Sequence, residues 1–466
     1  MSGGHPPRRH SYGVSQICLT LRFALGLTLR AVTRVWSLLT AHLLPALGET
    51  PHWTTGRMWL LRVGYYKLTR PKVQAADWVW ILDHTVQAGR LKCLVILGIR
   101  LADLPPPGEH LALRHLEPIG VVPMASSNGE AVLEQLERHV SVTGPPCGIV
   151  SDHGADLWAG VQRFCRGYSA VRVIYDVAHK AACLLKGLLE RDTRWATFSK
   201  QLLVAKRKIQ QTELAFLAPA TQRSKARYMN LGPLLDWADA ILWALDERPV
   251  EVLRYCSVER LEEKLGWLRD YRPAVSTWEQ WRRIAEAGVE ILRNSGLTLS
   301  TPGELHARIR PLVRDGSGLW LCEQLREFAR EQTRGLKERE RYPGSSEVIE
   351  SCFGKQKSLS GEQSQGGFTS LILGIGALVG SLDEEVVRAA LEQTPGKMVR
   401  RWCAEQLGVT PQAQRQVVFA ARRQAQEIAE EQISASTSVL SGYKSNSDNW
   451  LQQATWEFGV ENVESA

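Results

Sequence analysis

The segment WVWILDHTVQAGRLKCLVILGIRL, Trp78 to Leu101, contains two continuous apolar runs separated by the residues QAGR. A continuous apolar run bounded by turn residues predicts a strand that is buried on both faces of a sheet. Gly and polar residues between two such runs predict a turn. The first run, WVWILD, closes on Asp83. We therefore expect two central strands joined by a turn, with a carboxylate at the end of the first.

After this segment the chain alternates between strand and helix patterns. HLALRHLEPIGVVP (110–123) predicts a third strand, and Ser127 with Glu130 predicts a capping box for the next helix. GIVSD (148–152) predicts a fourth strand, and VRVIYDV (171–177) predicts a fifth, each followed by a helix. The order is three strands, helix, strand, helix, strand, helix. This α/β order is that of the ribonuclease-H-like fold, a mixed sheet with helices on its faces.

The remaining segments are mostly helical in pattern. Near the N-terminus, a helix, a turn and a short helix from Thr54 to Gly64 match a helix-turn-helix, with Arg57 and Arg62 placed near phosphate. Any small three-helix bundle gives the same pattern. We expect five regions: a helical DNA-binding region (1–72), a first core part (73–190), an all-α insertion (191–344), closing core helices (345–400), and a C-terminal helix with a polar tail (401–466).

Composition favours a large globular protein with a polyanionic partner. The 466 residues are 44% hydrophobic and carry a net charge of +8, which gives only a mild preference for nucleic acid. The nine cysteines are scattered without metal-ligand spacing, as in a reducing cytoplasm. Arg22, Arg30 and Arg34 interrupt the apolar N-terminal run, and FTSLILGIGALVG from Phe368 is too short to span a bilayer. We expect a cytoplasmic, nucleoid-associated protein.

Three acidic residues at element ends form the candidate catalytic set. Asp83 closes the first strand, Asp152 closes the fourth, and Glu350 lies on a helix in GSSEVIESCFGKQK. In the expected fold the first and fourth strands are neighbours, so the two aspartates can meet at one sheet edge. Three carboxylates around hard cations form a magnesium site of the kind used in phosphoryl transfer, with Mn²⁺ as a possible substitute.

Each assignment has a structural alternative. Asp152 could cap the next helix, although Asp156 is better placed to do so, and Asp83 could be a strand-end turn residue. Glu347, one turn before Glu350, is the rival for the third ligand. Asp176 also ends a strand and could orient His179 or cap its helix. The neighbouring histidines are expected to be hydrogen-bond partners.

The chain resembles the DDE transposases of bacterial insertion sequences over most of its length. SDHGADL resembles the second-aspartate motif of that family, and YDVAHKAACLLKGL is similar to the D-x-x-H-x-x-K block that often follows it. Six residues separate Glu350 from Lys357, as in the family's glutamate-lysine motif, which places both on one helix face. Ser346 stands where many relatives carry an arginine. The long helical insertion before the glutamate also resembles the family.

The resemblance implies a two-step activity on double-stranded DNA. Terminal inverted repeats would be bound, a phosphodiester at the element end would be cleaved with Mg²⁺, and the freed 3′-hydroxyl would attack target DNA. A homodimer or larger assembly would pair the ends. The expected DNA-binding residues are basic: Arg57, Arg62, Lys206, Arg207, Lys208, Arg223, Lys225, Arg227, Lys355 and Lys357. The alternatives are a nuclease without strand transfer, and a DNA-binding protein derived from a transposase that has lost catalysis.

Overall fold

The structure is a computed structural model that describes residues 12–42, 49–88, 91–220, 228, 231–360, 369–409 and 414–433. Three helices precede the first strand: α1 (Val14–Ala24), α2 (Leu29–His42) and α3 (Trp53–Thr69). Strands and helices then alternate in the order β1 (Trp78–Ala88), β2 (Leu91–Arg100), β3 (Glu117–Met124), α4 (Gly129–Thr143), β4 (Gly148–Ser151), α5 (Ala155–Gly167), β5 (Arg172–Tyr175) and α6 (Val177–Arg191). The expected element order is confirmed.

Helices make up the rest of the described chain. The segment after α6 contains α7 (Thr193–Ile209), α8 (Gly232–Glu247), α9 (Val250–Leu253), α10 (Val258–Leu265), α11 (Arg272–Asn294), α12 (Thr301–Ile309) and α13 (Gly316–Thr333). The last helices are α14 (Glu347–Ser360), α15 (Gly374–Leu378), α16 (Glu384–Gln393), α17 (Gly396–Leu407) and α18 (414–433). The polar tail expected after α18 lies outside the described residues.

The sheet has the strand order β3-β2-β1-β4-β5. β1 is antiparallel to β2 and parallel to β4, and β4 is parallel to β5. Leu82 lies opposite Ser151, and Ser151 lies opposite Tyr175. The carboxyl ends of β4 and β5 therefore lie beside the middle of β1, which continues past Leu82 to Ala88. The expectation that the first and fourth strands are neighbours is confirmed.

Two hydrophobic clusters cover the two faces of the sheet. One face carries Trp80, Leu82 and Ile96 and packs under α4 and α5. The other face carries Val79 and Ile81 and belongs to a larger cluster that includes the N-terminal helices, the helices after β5, and α14 to α17. Because successive strand residues point to opposite faces, this alternation fixes the face on which each strand-end side chain lies.

Several local expectations are corrected by the structure. Asn128, not Ser127, caps α4, because its side-chain oxygen accepts hydrogen bonds from the backbone N–H groups of Glu130 and Ala131. β3 begins only at Glu117 because the preceding residues form a short 3-10 turn. Asp156 lies inside the first turn of α5, whose N-cap is Gly154. In the insertion, α13 ends at Thr333, before a glycine with positive φ.

The predicted helix-turn-helix is also corrected. α3 does not end at Gly64 but continues to Thr69 as a largely buried helix. Gly64 is needed there for close approach, since a Cβ atom would overlap the carbonyl oxygen of Leu373 in the segment that enters α15. A helix enclosed by α1, α2, α15 and α16 cannot enter a major groove.

The apolar segment that begins at Phe368 and the tryptophans of the insertion differ in how far they are buried. The FTSLILGIGALVG residues that the structure describes are buried in a 3-10 turn and α15 rather than one long helix. Among the described residues, no helix combines the length and apolar character needed to cross a membrane. Six tryptophans of the insertion differ in burial: Trp278 and Trp281 are buried, Trp237 and Trp267 are half-buried, and Trp243 and Trp320 are exposed.

Candidate active site

Asp83 lies in the middle of β1, so the expectation that it closes this strand is wrong, and Asp152 lies beside it where β4 ends. Their positions directly follow Leu82 and Ser151, which are paired across the parallel β1 and β4 strands. Asp83 lies on the same face of the sheet as Ile81, and His84 lies on the opposite face, which packs under α4 and α5. Asp152 is partly exposed, and its Oδ1 accepts a 3.0 Å hydrogen bond from the backbone N–H of Gly154. Asp152 Oδ1 therefore stabilises the turn that follows β4, and Oδ2 takes no part in that hydrogen bond.

Glu350 comes into the same electrostatic neighbourhood from α14, which packs against β1. Burial, the Asp152 carboxylate and, to a lesser extent, Glu350 raise the pKa of Asp83 to about 7. Burial also raises the pKa of Glu350, to which Asp152 contributes. The three acids thus share one neighbourhood, although Asp83 and Glu350 are far apart in sequence.

Glu347, the rival for the third position, has a different partner. Its Oε2 lies 3.2 Å from Nη1 of Arg293 on α11. Glu350, by contrast, is among the groups that raise the pKa of Asp83. The contacts therefore favour Glu350 over Glu347 as the third acid.

The donor set at the sheet edge suits a hard divalent cation. Asp83, Asp152 and Glu350 supply carboxylate oxygens, the ligand type that Mg²⁺ prefers. The pKa of Asp83 is raised because the side chain is buried and lies near two other carboxylates. A bound cation would lower this pKa again. Among the described residues, one group of three or more His, Cys, Asp or Glu has potential ligand atoms that all lie within 4.8 Å of one another: His306, Cys322 and Glu323 in the insertion. Asp83, Asp152 and Glu350 are spread more widely than that.

Asp176, which follows β5, is buried and holds two elements together. Its Oδ1 accepts a 2.8 Å hydrogen bond from the backbone N–H of His179, so it caps α6. Its Oδ2 accepts hydrogen bonds from the hydroxyls of Ser346, at 2.7 Å, and Ser345, at 3.3 Å, and from the Ser346 backbone N–H. The His179 side chain, together with these donors, holds the pKa of Asp176 below its usual range against the opposing effect of burial. The expectation of a helix cap is confirmed, but its contact with the start of α14 was missed.

The three histidines next to acidic motifs have different surroundings. His179 lies between two acids, with Nε2 3.7 Å from Asp152 Oδ2 and Nδ1 3.8 Å from Asp176 Oδ1. Asp176 is the main cause of its pKa being raised to about 9, and Asp152 and Glu350 add to it. His153 is stacked on Tyr175, with ring centroids 3.5 Å apart. His84 lies on the α4–α5 face near Ser127 and Asp156, and burial lowers its pKa.

Arg57 and Arg62, predicted to bind DNA, make contacts inside the protein. Arg57 Nη2 donates a 2.6 Å hydrogen bond to Ser370 Oγ. Arg62 donates to the backbone carbonyl oxygens of Thr394, at 2.6 Å, and Leu391. These hydrogen bonds connect α3 to the segments around α15 and α16. The structure does not support a role in phosphate binding for either.

The other predicted DNA-binding residues fall into three groups. Arg207 and Lys208 are exposed in the last turn of α7, and Lys206 is half-buried. Arg223, Lys225 and Arg227 lie outside the described residues. Lys355 and Lys357 are exposed on α14.

Lys355 and Lys357 project from different faces of α14. Helical geometry places Lys357 about 20° around the axis from Glu350, and Lys355 about 140° away. Lys355 instead borders a cleft of about 490 Å³ together with Arg293 and Glu347. Lys357 is therefore the lysine that can act beside Glu350.

Comparison with solved structures shows a distant likeness to a transposase complex. No protein-family model matches the chain, and no curated protein matches it. Among solved structures, the chain is similar to the Drosophila P element transposase strand transfer complex, with 13% sequence identity and a TM-score of 0.40. The similarity covers 83% of this chain and 94% of that chain. The function proposed below therefore depends on the residues of this chain.

Proposed function

We propose that the chain is a DDE-type DNA transposase of the insertion-sequence kind, with a ribonuclease-H-like core, that cleaves element ends and joins them to target DNA. The observation that carries the proposal is that Asp83 in β1 and Asp152 after β4 are neighbours, with Glu350 supplied by α14. The strand order and the mixed sheet are those expected of that fold. The family motifs around the three acids support the same conclusion.

Asp83, Asp152 and Glu350 would hold magnesium ions at the sheet edge. Bound magnesium would stabilise the negative charge that develops on a phosphate during phosphoryl transfer. The protein's own task is to orient the three carboxylates, which the contacts of Asp152 with Gly154 and of Asp176 with α14 support. Lys357, on the Glu350 face of α14, would hold a DNA phosphate beside the site.

Double-stranded DNA is the proposed partner, and it would be bound by basic surfaces other than α3. Arg207, Lys208 and Lys357 are exposed, whereas Arg57 and Arg62 are used within the fold. A homodimer or larger assembly would bring two DNA ends together. Because phosphate contacts release counterions, binding should weaken steeply as salt is increased.

The test uses a supercoiled plasmid that carries the DNA flanking the gene, incubated with magnesium. Wild type should nick the plasmid and yield joined products, and EDTA should abolish both. Asp152→Asn should keep end binding in a gel-shift assay and lose at least about 100-fold in cleavage rate, as when one stabiliser of transition-state charge is removed. Cleavage at the wild-type rate by Asp152→Asn would remove this aspartate from the mechanism.

Two matched variants on α14 decide the third acid. Glu350→Gln should behave like Asp152→Asn, whereas Glu347→Gln weakens only a contact with Arg293 of α11 and should cleave at nearly the wild-type rate. The product distribution separates the alternatives. Nicking without joined products identifies a nuclease, and metal-independent binding without any product identifies a catalytically lost derivative.

A further inference from the structure

The carboxylate of Asp176 is only 1% exposed, although it is not one of the three acids assigned to the metal. Burying a carboxylate is costly unless its oxygens are satisfied by donors. Both Asp176 oxygens are satisfied: Oδ1 by the His179 N–H, and Oδ2 by the hydroxyls of Ser345 and Ser346 and the Ser346 N–H. These donors belong to α6 and to the residues that enter α14.

The same residue is connected to the elements that carry Asp152 and Glu350. The backbone N–H of Asp176 donates a 3.0 Å hydrogen bond to the carbonyl of Ser151, the residue before Asp152. Its side chain holds Ser346, which precedes α14 and lies one helical turn before Glu350. A shift of Ser346 would therefore be transmitted directly to Glu350, since a helix turn moves as a unit.

Ser345 and Ser346 are well suited to this contact. Ser345 Oγ also accepts a 3.2 Å hydrogen bond from the Glu347 N–H, so it caps α14. Both serines are buried, and the first turn of the helix can shift only if their hydrogen bonds with Asp176 break. Hydrogen bonds to an ionised acceptor are shorter and stronger than those between neutral groups.

We propose that Asp176 is a positioning residue that sets Glu350 against Asp83 and Asp152 by holding the start of α14 on the ends of β4 and β5. The role of the three acids rests on the proposed function. The attachment of α14 to Asp176 is a property of the fold and is tested without DNA or metal.

Asp176→Asn is the main variant. An Asn side chain has one acceptor oxygen, so its NH₂ group must face either the Ser346 N–H or the His179 N–H, and one donor is left without an acceptor. Amides 347–352 should then exchange hydrogen at least about 10-fold faster in metal-free protein, because local opening becomes easier. Mn²⁺ binding, followed by electron paramagnetic resonance without DNA, should weaken by about 10–100-fold, as for other residues that orient metal ligands.

Asp192→Asn is the matched control for a lost helix cap. Asp192 caps α7 through the Arg194 N–H and also accepts a 3.0 Å hydrogen bond from Trp278 Nε1 in another helix. Asp192→Asn should lower the melting temperature without changing Mn²⁺ affinity or hydrogen exchange in α14. Ser346→Ala should give a smaller loss than Asp176→Asn, and Ser346→Thr, which retains the hydroxyl, should restore Mn²⁺ affinity.

The outcomes separate this proposal from the proposed function. If wild type binds Mn²⁺ but cleaves no DNA, the transposase proposal fails while the Mn²⁺ and exchange measurements still decide the role of Asp176. If Asp176→Asn does not fold, Ser346→Ala and Ser346→Thr decide it. The positioning role is overturned if Asp176→Asn leaves hydrogen exchange at amides 347–352 unchanged. It is also overturned if wild type binds Mn²⁺ and Asp176→Asn binds it with the same affinity.

Discussion

The side chain of Asp83 is largely enclosed by protein and faces two other carboxylates, Asp152 and Glu350. Its pKa of about 7 lies above the value near 4 of an unfolded chain, so the native state binds the proton more tightly. An acid whose pKa is raised by folding stabilises the protein at low pH. That stability is lost as pH rises from about 4 to about 7.

At the residue scale, Asp83→Asn should therefore stabilise the metal-free protein above pH 7. The expected gain is at most about 4 kcal/mol, because three pKa units correspond to that free energy. Thermal melts from pH 4 to pH 8 in EDTA check this: the variant should lose less stability than the wild type as pH rises, because only the contribution of Asp83 is removed. Saturating Mg²⁺ should reduce the difference, since a cation stabilises the ionised wild-type site. An Asp83→Asn protein less stable than wild type at pH 8 would contradict the assigned electrostatics.

At the scale of elements, the sequence predicts what depends on periodicity and order. The apolar run that ends at Asp83 predicted β1, and the strand order predicted its neighbour β4, so the meeting of Asp83 with Asp152 was expected. The link from Asp176 to Ser346 was not predictable, because it joins residues 170 positions apart through buried hydrogen bonds that leave no periodic pattern. Gly64 was misjudged for a related reason: a glycine that ends a helix and one that admits a neighbouring backbone look alike in sequence.

The packing of α3 against the start of α15 gives a prediction at this scale. Gly64→Ala should destabilise the protein by about 3 kcal/mol, because the added methyl group meets the rigid backbone of Leu373 rather than a movable side chain. Gly56→Ala on the same helix is the matched control. Its methyl group would lie 3.6 Å from the nearest atom, Thr20 Cγ2, and should stabilise by up to about 1 kcal/mol through helix propensity. Urea denaturation measures both, and equal effects would contradict the close contact.

At the scale of the whole molecule, the N-terminal helices belong to the main core. The larger hydrophobic cluster contains Leu21, Trp36 and Leu60 together with residues of the sheet, of α11 and of α15. Polar contacts reinforce this packing: Arg22 donates to the Leu382 carbonyl, and the buried Lys67 ammonium donates to the carbonyls of Val379 and Ser381. By contrast, α18 (414–433) is exposed along almost its whole length.

Removing residues from the two ends should therefore have opposite consequences. A fragment of residues 73–466 should fail to reach a stable native state, because it exposes the apolar surface that α1, α2 and α3 cover and leaves the carbonyls of Val379 and Ser381 without the Lys67 ammonium. A fragment of residues 1–409, which lacks α18, should melt within about 3 °C of the full chain, since exposed side chains contribute little to stability. Scanning calorimetry with circular dichroism measures both. A 73–466 fragment that melts cooperatively at the full-chain temperature would show instead that the first 72 residues form a separate domain.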